Sequence, residues 1–160
     1  MEISFSSTAQ YAGQGLEHTC GADLASVSRG DLCWYYFLGR LWISRSGVEI
    51  GPSWGWVPLF DAIDSVQRMM TFARGGKGMS SIYFTENQES IDFTRERDVL
   101  RLVPSYLDSE LICSVEEFAE AGTDFIRGEL RRVVSEYPPL VRNSHVREVA
   151  RSVGLEDLGV

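Results

Sequence analysis

A chain of 160 residues with 44% hydrophobic and 24% charged residues has the length and balance of one globular domain that buries its own core. Its formal charge of -8 and isoelectric point near 4.8 exclude the basic face that a nucleic-acid binder needs, and argue equally against docking on an anionic membrane. The acidity is uneven: residues 1–126 hold 9 Lys or Arg against 18 Asp or Glu, whereas residues 127–160 hold 6 against 5. Such a body stays soluble, and it would also steer a basic protein partner.

Cys20, Cys33 and Cys113 are odd in number, far apart and without Cys-x-x-Cys spacing, which fits a reduced compartment. Met1 to Phe5 has neither the basic nor the apolar region of a signal peptide, and no apolar run approaches the roughly 18 residues of a membrane span. The expectation is a cytoplasmic protein, residues 1–160 forming a single domain.

Glu2 to Thr8 alternates, with Ile3 and Phe5 on one side, and reads as a first strand. The pattern is lost from Ala9 to Gly30, an irregular crossing with Gly13, Gly15 and Gly21. The aromatic run Leu32 to Leu38 predicts a strand, joined by a tight turn at Gly39-Arg40 to a second one over Leu41 to Arg45. That hairpin sets Phe37 against Trp42, Tyr36 against Ile43 and Trp34 against Arg45, the last a cation-π pair. Ser46-Gly47 turns again into Val48 to Ile50. The loop from Gly51 to Pro58 carries Trp54 and Trp56, which read either as lids on the core or as a recognition surface.

Pro58 opens a helix, with Asp61 and Asp64 near the positive end of its dipole and Leu59, Ile63, Val66 and Met69 at helical spacing. It ends near Arg74 at Gly75-Gly76-Lys77-Gly78. Those glycines follow a helix instead of opening one and lack the Walker spacing, so they form no phosphate loop.

Three alternating runs come next: Ser81 to Thr85, Ser90 to Thr94 and Val99 to Val103. Symmetric closure of the loops Glu86 to Glu89 and Arg95 to Asp98 places Ile82 opposite Phe93 and Phe84 opposite Ile91. Leu100 and Leu102 extend the same apolar face. Tyr83, Asp92 and Arg101 then form one row on the other face, either a solvated ion pair or a polar binding patch. Ser105 to Ile112 is ambiguous between loop and short strand.

Ser114-Val115-Glu116-Glu117 has capping-box spacing and starts the longest helix, predicted to run to about Tyr137 and span about 34 Å. Its stripe includes Phe118, Gly122, Phe125, Ile126, Leu130 and Val133 and would cover the face of Ile82, Phe93 and Leu100. Gly122 in that stripe would let helix and sheet approach closely. Glu116, Glu117 and Glu120 complement the helix start and Arg127, Arg131 and Arg132 its far end. Pro138-Pro139 stops it, Asn143-Ser144 caps a last helix with Val146, Val149 and Ala150 inward, and Gly154 closes that one before a frayed tail from Leu155. The class is α+β, helices on one face of a mostly antiparallel sheet.

No catalytic set emerges. His18 and Cys20 are close, but Cys33, Cys113 and His145 stand apart, so neither a metal nor another cofactor is expected. His145, in the first turn of the last helix, reads as a surface residue. No serine sits in a Gly-x-Ser-x-Gly elbow. Cys113 precedes a helix start, which lowers a thiol pKa, but a small buried core cysteine is the simpler reading.

The layout in which Trp56-Val57-Pro58-Leu59-Phe60-Asp61 leads a helix, followed by Ile82-Tyr83-Phe84-Thr85-Glu86 and Ile91-Asp92-Phe93 as paired strands, resembles small bacterial proteins akin to the immunity proteins of polymorphic or contact-dependent toxins. The resemblance covers roughly residues 30 to 150 and lies in layout, so it transfers no functional residue. It implies a cytoplasmic protein that binds one cognate toxin domain and neutralises it by occlusion. The residues assigned to that partner surface are Trp54, Trp56, Tyr83, Glu86, Glu89, Asp92 and Arg101. A different reading, a small-molecule-binding or enzymatic domain, places a ligand among Trp34, Tyr36, Trp54 and Trp56.

Overall fold

The computed structural model describes residues 1–7, 21–84, 87–155 and 157–158. Most of the glycine-dotted stretch before Gly21, with His18 and Cys20, lies outside the described residues, as do Thr85 and Glu86.

Among the described residues, eight antiparallel strands and four α-helices confirm the α+β class, but the strands divide into two sheets of four. In the first, β2 (Leu38–Arg45) pairs with β1 (Glu2–Ser6), with the short β3 (Val48–Glu49) and, at its other end, with β4 (Val57–Pro58). The second runs in chain order: β5 (Met79–Phe84), β6 (Glu89–Glu96), β7 (Val99–Pro104) and β8 (Leu111–Ser114). Strand alternation sends Leu41 and Ile43 inward from the first sheet, and Ile82, Ile91, Phe93, Leu100 and Leu102 inward from the second. One continuous apolar core joins them to the helices.

The expected hairpin around Gly39 does not form. Its first arm is instead a helix, α1 (Arg29–Tyr35), because Ser28 caps it: its hydroxyl accepts from the Asp31 backbone N–H at 3.1 Å and donates to the Asp31 carboxylate at 2.8 Å. This Ser-x-x-Asp start overrides the strand preference of the aromatics behind it. The chain then reverses at Phe37, which takes a left-handed φ of 54° and packs edge-on to Phe60 and Tyr137. Trp34 therefore stands out from α1 with 54% of its surface exposed, and Tyr36 is buried. Arg45 does not pair with Trp34 as expected; Arg40 instead lies 3.5 Å over the Trp42 ring.

In the second sheet the inward and outward faces are as the alternation requires, but both registers are two residues from the symmetric expectation. Ile82 faces Ile91 and Phe84 faces Glu89; Thr94 faces Arg101 and Glu96 faces Val99. The cause lies in the turns. Only Arg97-Asp98 separates the last β6–β7 pair, with Arg97 at a φ of 58°, so the strands run on through residues assigned to a loop. An even shift preserves the faces and changes every partner.

α2 (Leu59–Gly75) and the longest helix, α3 (Val115–Glu136), pack on each other, and each also contacts strands of both sheets. The capping box at Ser114 and Glu117 is complete. Phe118 meets Phe93 edge-on at 5.3 Å, so α3 does cover the second sheet. Gly122, however, faces α2 and not a strand: a Cβ there would stand 2.6 Å from the Met70 sulfur and 3.1 Å from Val66. Gly122→Val is expected to destabilise by about 1–3 kcal/mol through overpacking, and a Met70→Ala partner substitution should return part of that loss in a double-mutant cycle of urea midpoints.

Arg45 joins the two sheets to α3. Its guanidinium donates to both Glu117 oxygens at 3.0 Å and to the Ile112 carbonyl at 2.9 Å. Arg45 and the Ser114 backbone N–H hold the Glu117 carboxyl below the usual carboxylate range. A depressed folded pKa stabilises above the unfolded value and loses that contribution as pH falls through the folded one. Glu117→Gln should accordingly flatten the acid limb of the stability–pH curve, read by urea titration from neutral pH downward.

A 3-10 turn (Pro138–Arg142) follows α3, and α4 (Ser144–Ser152) closes the chain's helical part. Leu155 is not frayed: it is buried, and its N–H donates to the Ala150 carbonyl at 2.9 Å.

Candidate functional site

Two places combine exposed or polar groups beyond what packing requires. The first is the outer face of the second sheet. One row crosses all four strands, Met79, Thr94, Arg101 and Ile112, and the next contains Ser81, Asp92 and Val103. The expected row of Tyr83, Asp92 and Arg101 is thus broken by the two-residue shift, though all three stay on this face. Asp92 accepts from Ser81 Oγ at 2.7 Å and Ser90 Oγ at 3.3 Å, while Arg101 pairs with Glu110. Glu89 is tied to the Ser105 hydroxyl.

Apolar groups stand between these polar ones. Met79, Tyr83, Val99 and Ile112 are exposed, Met79 and Tyr83 by nearly two-thirds. Thr94, Glu96, Val99, Arg101, Glu110 and Ile112 line a shallow cleft of about 350 Å³. A sheet face that no described helix or strand covers, mixed in this way, has the composition of a protein-binding patch: apolar and aromatic anchors with a charged rim.

Trp54 and Trp56 lie elsewhere. Trp54 stacks on Trp56 at 6.5 Å and meets Phe84 and Tyr106 edge-on at 5.4 and 5.1 Å. Tyr106 Oη donates to the Ile50 carbonyl at 2.7 Å, so this aromatic group bridges the two sheets. Both indoles are half-buried, and the Trp54 N–H is shielded from solvent without an acceptor.

The second place lies where α1, α2 and α4 meet, and sequence reasoning missed it. His145 is not on the surface; it is 5% exposed, with Nε2 3.3 Å from Asp64 Oδ1. On the other side of Asp64, the Cys33 thiol lies 3.6 Å from Oδ2, and Arg29 donates to Oδ2 through Nε at 3.0 Å and Nη2 at 2.8 Å. Burial pushes the Asp64 carboxyl upward, but His145 and Arg29 outweigh it and hold the pKa below the ordinary value. Burial and the same carboxylate push the Cys33 thiol up to about 12.

This order decides the chemistry. A thiol nucleophile needs an imidazole against its sulfur and a lowered pKa, whereas here the thiol's hydrogen-bond partner is the carboxylate and its pKa is raised. The other thiol among the described residues, Cys113, is a buried core residue pushed up to about 11 by burial and Glu117. A signal for the cluster was present in the sequence: Asp64 follows Ile63 and sits one turn from Phe60, on the buried side of α2, where a carboxylate demands partners.

Among the described residues no helix is long and apolar enough to cross a membrane. No family model, curated protein or solved structure matches this chain.

Proposed function

We propose that this chain is an immunity-type inhibitor, a bacterial cytoplasmic protein that binds one cognate toxin domain and neutralises it by occlusion. The observation that carries the reading is the outer face of the second sheet, where Met79, Tyr83, Val99 and Ile112 stand exposed among Asp92, Arg101 and Glu110. The charge of -8 favours a basic partner and a fast encounter with it. The order of groups around Cys33 is wrong for a thiol nucleophile, which favours binding over catalysis.

The test begins with affinity capture from the source cell, native mass spectrometry of the complex and an activity assay of the captured protein. A toxin should lose its activity at one equivalent of the inhibitor. Tyr83→Ala combined with Ile112→Arg should weaken that complex by about 100-fold or more, the loss expected of two central anchors. Their solvent exposure means that far-ultraviolet circular dichroism and the urea midpoint should stay close to those of the wild type. Unaltered affinity in the double variant, or toxin activity that persists at equimolar inhibitor, would refute the assignment.

A further inference from the structure

We propose that Cys33, Asp64 and His145 form a binding site for one zinc-class divalent ion at the junction of α1, α2 and α4. One donor atom from each of the three residues lies within 4.8 Å of the other two. Metal–sulfur and metal–nitrogen or –oxygen bonds of about 2.3 and 2.0–2.1 Å make a tetrahedron with edges of roughly 3.3–3.6 Å. The His145 Nε2 to Asp64 Oδ1 separation, 3.3 Å, is already an edge of that size, and the Cys33 Sγ stands 3.6 Å from the neighbouring oxygen, Oδ2.

The independent observation is a set of orphaned atoms. Both ring nitrogens of His145 and Oδ1 of Asp64 are shielded from solvent with no hydrogen-bond partner, the 3.3 Å approach being misaligned for one. Buried polar groups left in this state are costly, and an ion held by Nε2 and Oδ1 would satisfy both atoms. Arg29 then acts from outside. Its side chain is 64% exposed, and its two hydrogen bonds to Oδ2 are the kind that orient a ligating carboxylate.

A thiolate, an imidazole and one carboxylate select zinc over calcium or magnesium, which take all-oxygen shells. On binding, the Cys33 S–H bond breaks and an S–metal bond forms. The proton leaves to solvent, and nothing is oxidised or reduced. Three protein ligands leave a fourth position for water. The ion would fasten together residues 33, 64 and 145, each on a different helix, so its binding free energy adds to that of folding.

Cobalt(II) titration of the reduced, chelator-treated chain is the test, with zinc as competitor. One equivalent of cobalt should bind with tetrahedral ligand-field bands and a sulfur-to-cobalt charge-transfer band. Zinc should abolish those bands and raise Tm. Cys33→Ser, a near-isosteric change at a half-buried position, should lose the charge-transfer band, and His145→Gln should lose the binding. If His145→Gln does not fold, Cys33→Ser alone decides. Failure of the wild type to bind cobalt at one equivalent overturns the site, and so does a sulfur band that survives Cys33→Ser.

Discussion

Phe118→Ala is expected to lower the stability of this protein by about 3–5 kcal/mol, the range for removing a fully buried phenylalanine and leaving its cavity. Phe118 has no exposed surface and meets Phe93, equally buried, edge-on at 5.3 Å. It is the first buried residue of α3 after its cap and sets how that helix lies on the second sheet. Urea denaturation should show a lower midpoint at unchanged slope, the mark of a loss in stability without a change in the surface exposed on unfolding. A change below about 1 kcal/mol would mean that the cavity collapses and that α3 is held chiefly by its other contacts.

Asn143→Ala has the next largest expected effect, about 2–4 kcal/mol, because one buried side chain serves both ends of its amide. Its Oδ1 caps α4, accepting from the backbone N–H groups of His145 at 3.0 Å and Val146 at 3.4 Å. Its Nδ2 donates to the carbonyls of Leu24 and Val27, each at 2.9 Å, and so ties α4 to the turn before α1. Asn143→Asp keeps the cap but sets a carboxylate oxygen against the same two carbonyls, and at neutral pH should cost at least as much as alanine. Hydrogen exchange distinguishes the two roles: alanine should expose the first-turn amides of α4, whereas aspartate should leave them protected.

The elements that were legible in the sequence have a local cause. Ser114 and Glu117 mark the start of α3, Asn143 that of α4, and Pro58 stands immediately before α2. Three of the four strands of the second sheet, β5 to β7, are legible through alternation alone, with their faces correct. The α1 segment was misjudged where two local signals competed: five consecutive residues of strand-favouring bulk in Cys33 to Phe37, and one capping serine ahead of them. The cap prevailed because α1 can set Leu32 in the core while the chain reverses at Phe37.

His145 shows why the cluster was hidden. In its own helix it is a polar residue in the first turn, ordinarily solvated; its burial is imposed by α2, 81 positions earlier, whose Asp64 faces it. Likewise Gly122 announced a close approach, but nothing along α3 says whether the opposing surface is a sheet or, as found, Met70 and Val66 of α2.

By itself the sequence determined the α+β class, the caps and ends of three helices, the inward and outward faces of β5 to β7 and the acidic character of the chain, because each depends on spacing or composition within a few neighbouring residues. Only the tertiary structure decided the split into two sheets, the register of the outer face and the meeting of Cys33, Asp64 and His145. Those depend on which remote surfaces bury one another, and burial between distant segments leaves no periodic mark on either segment alone.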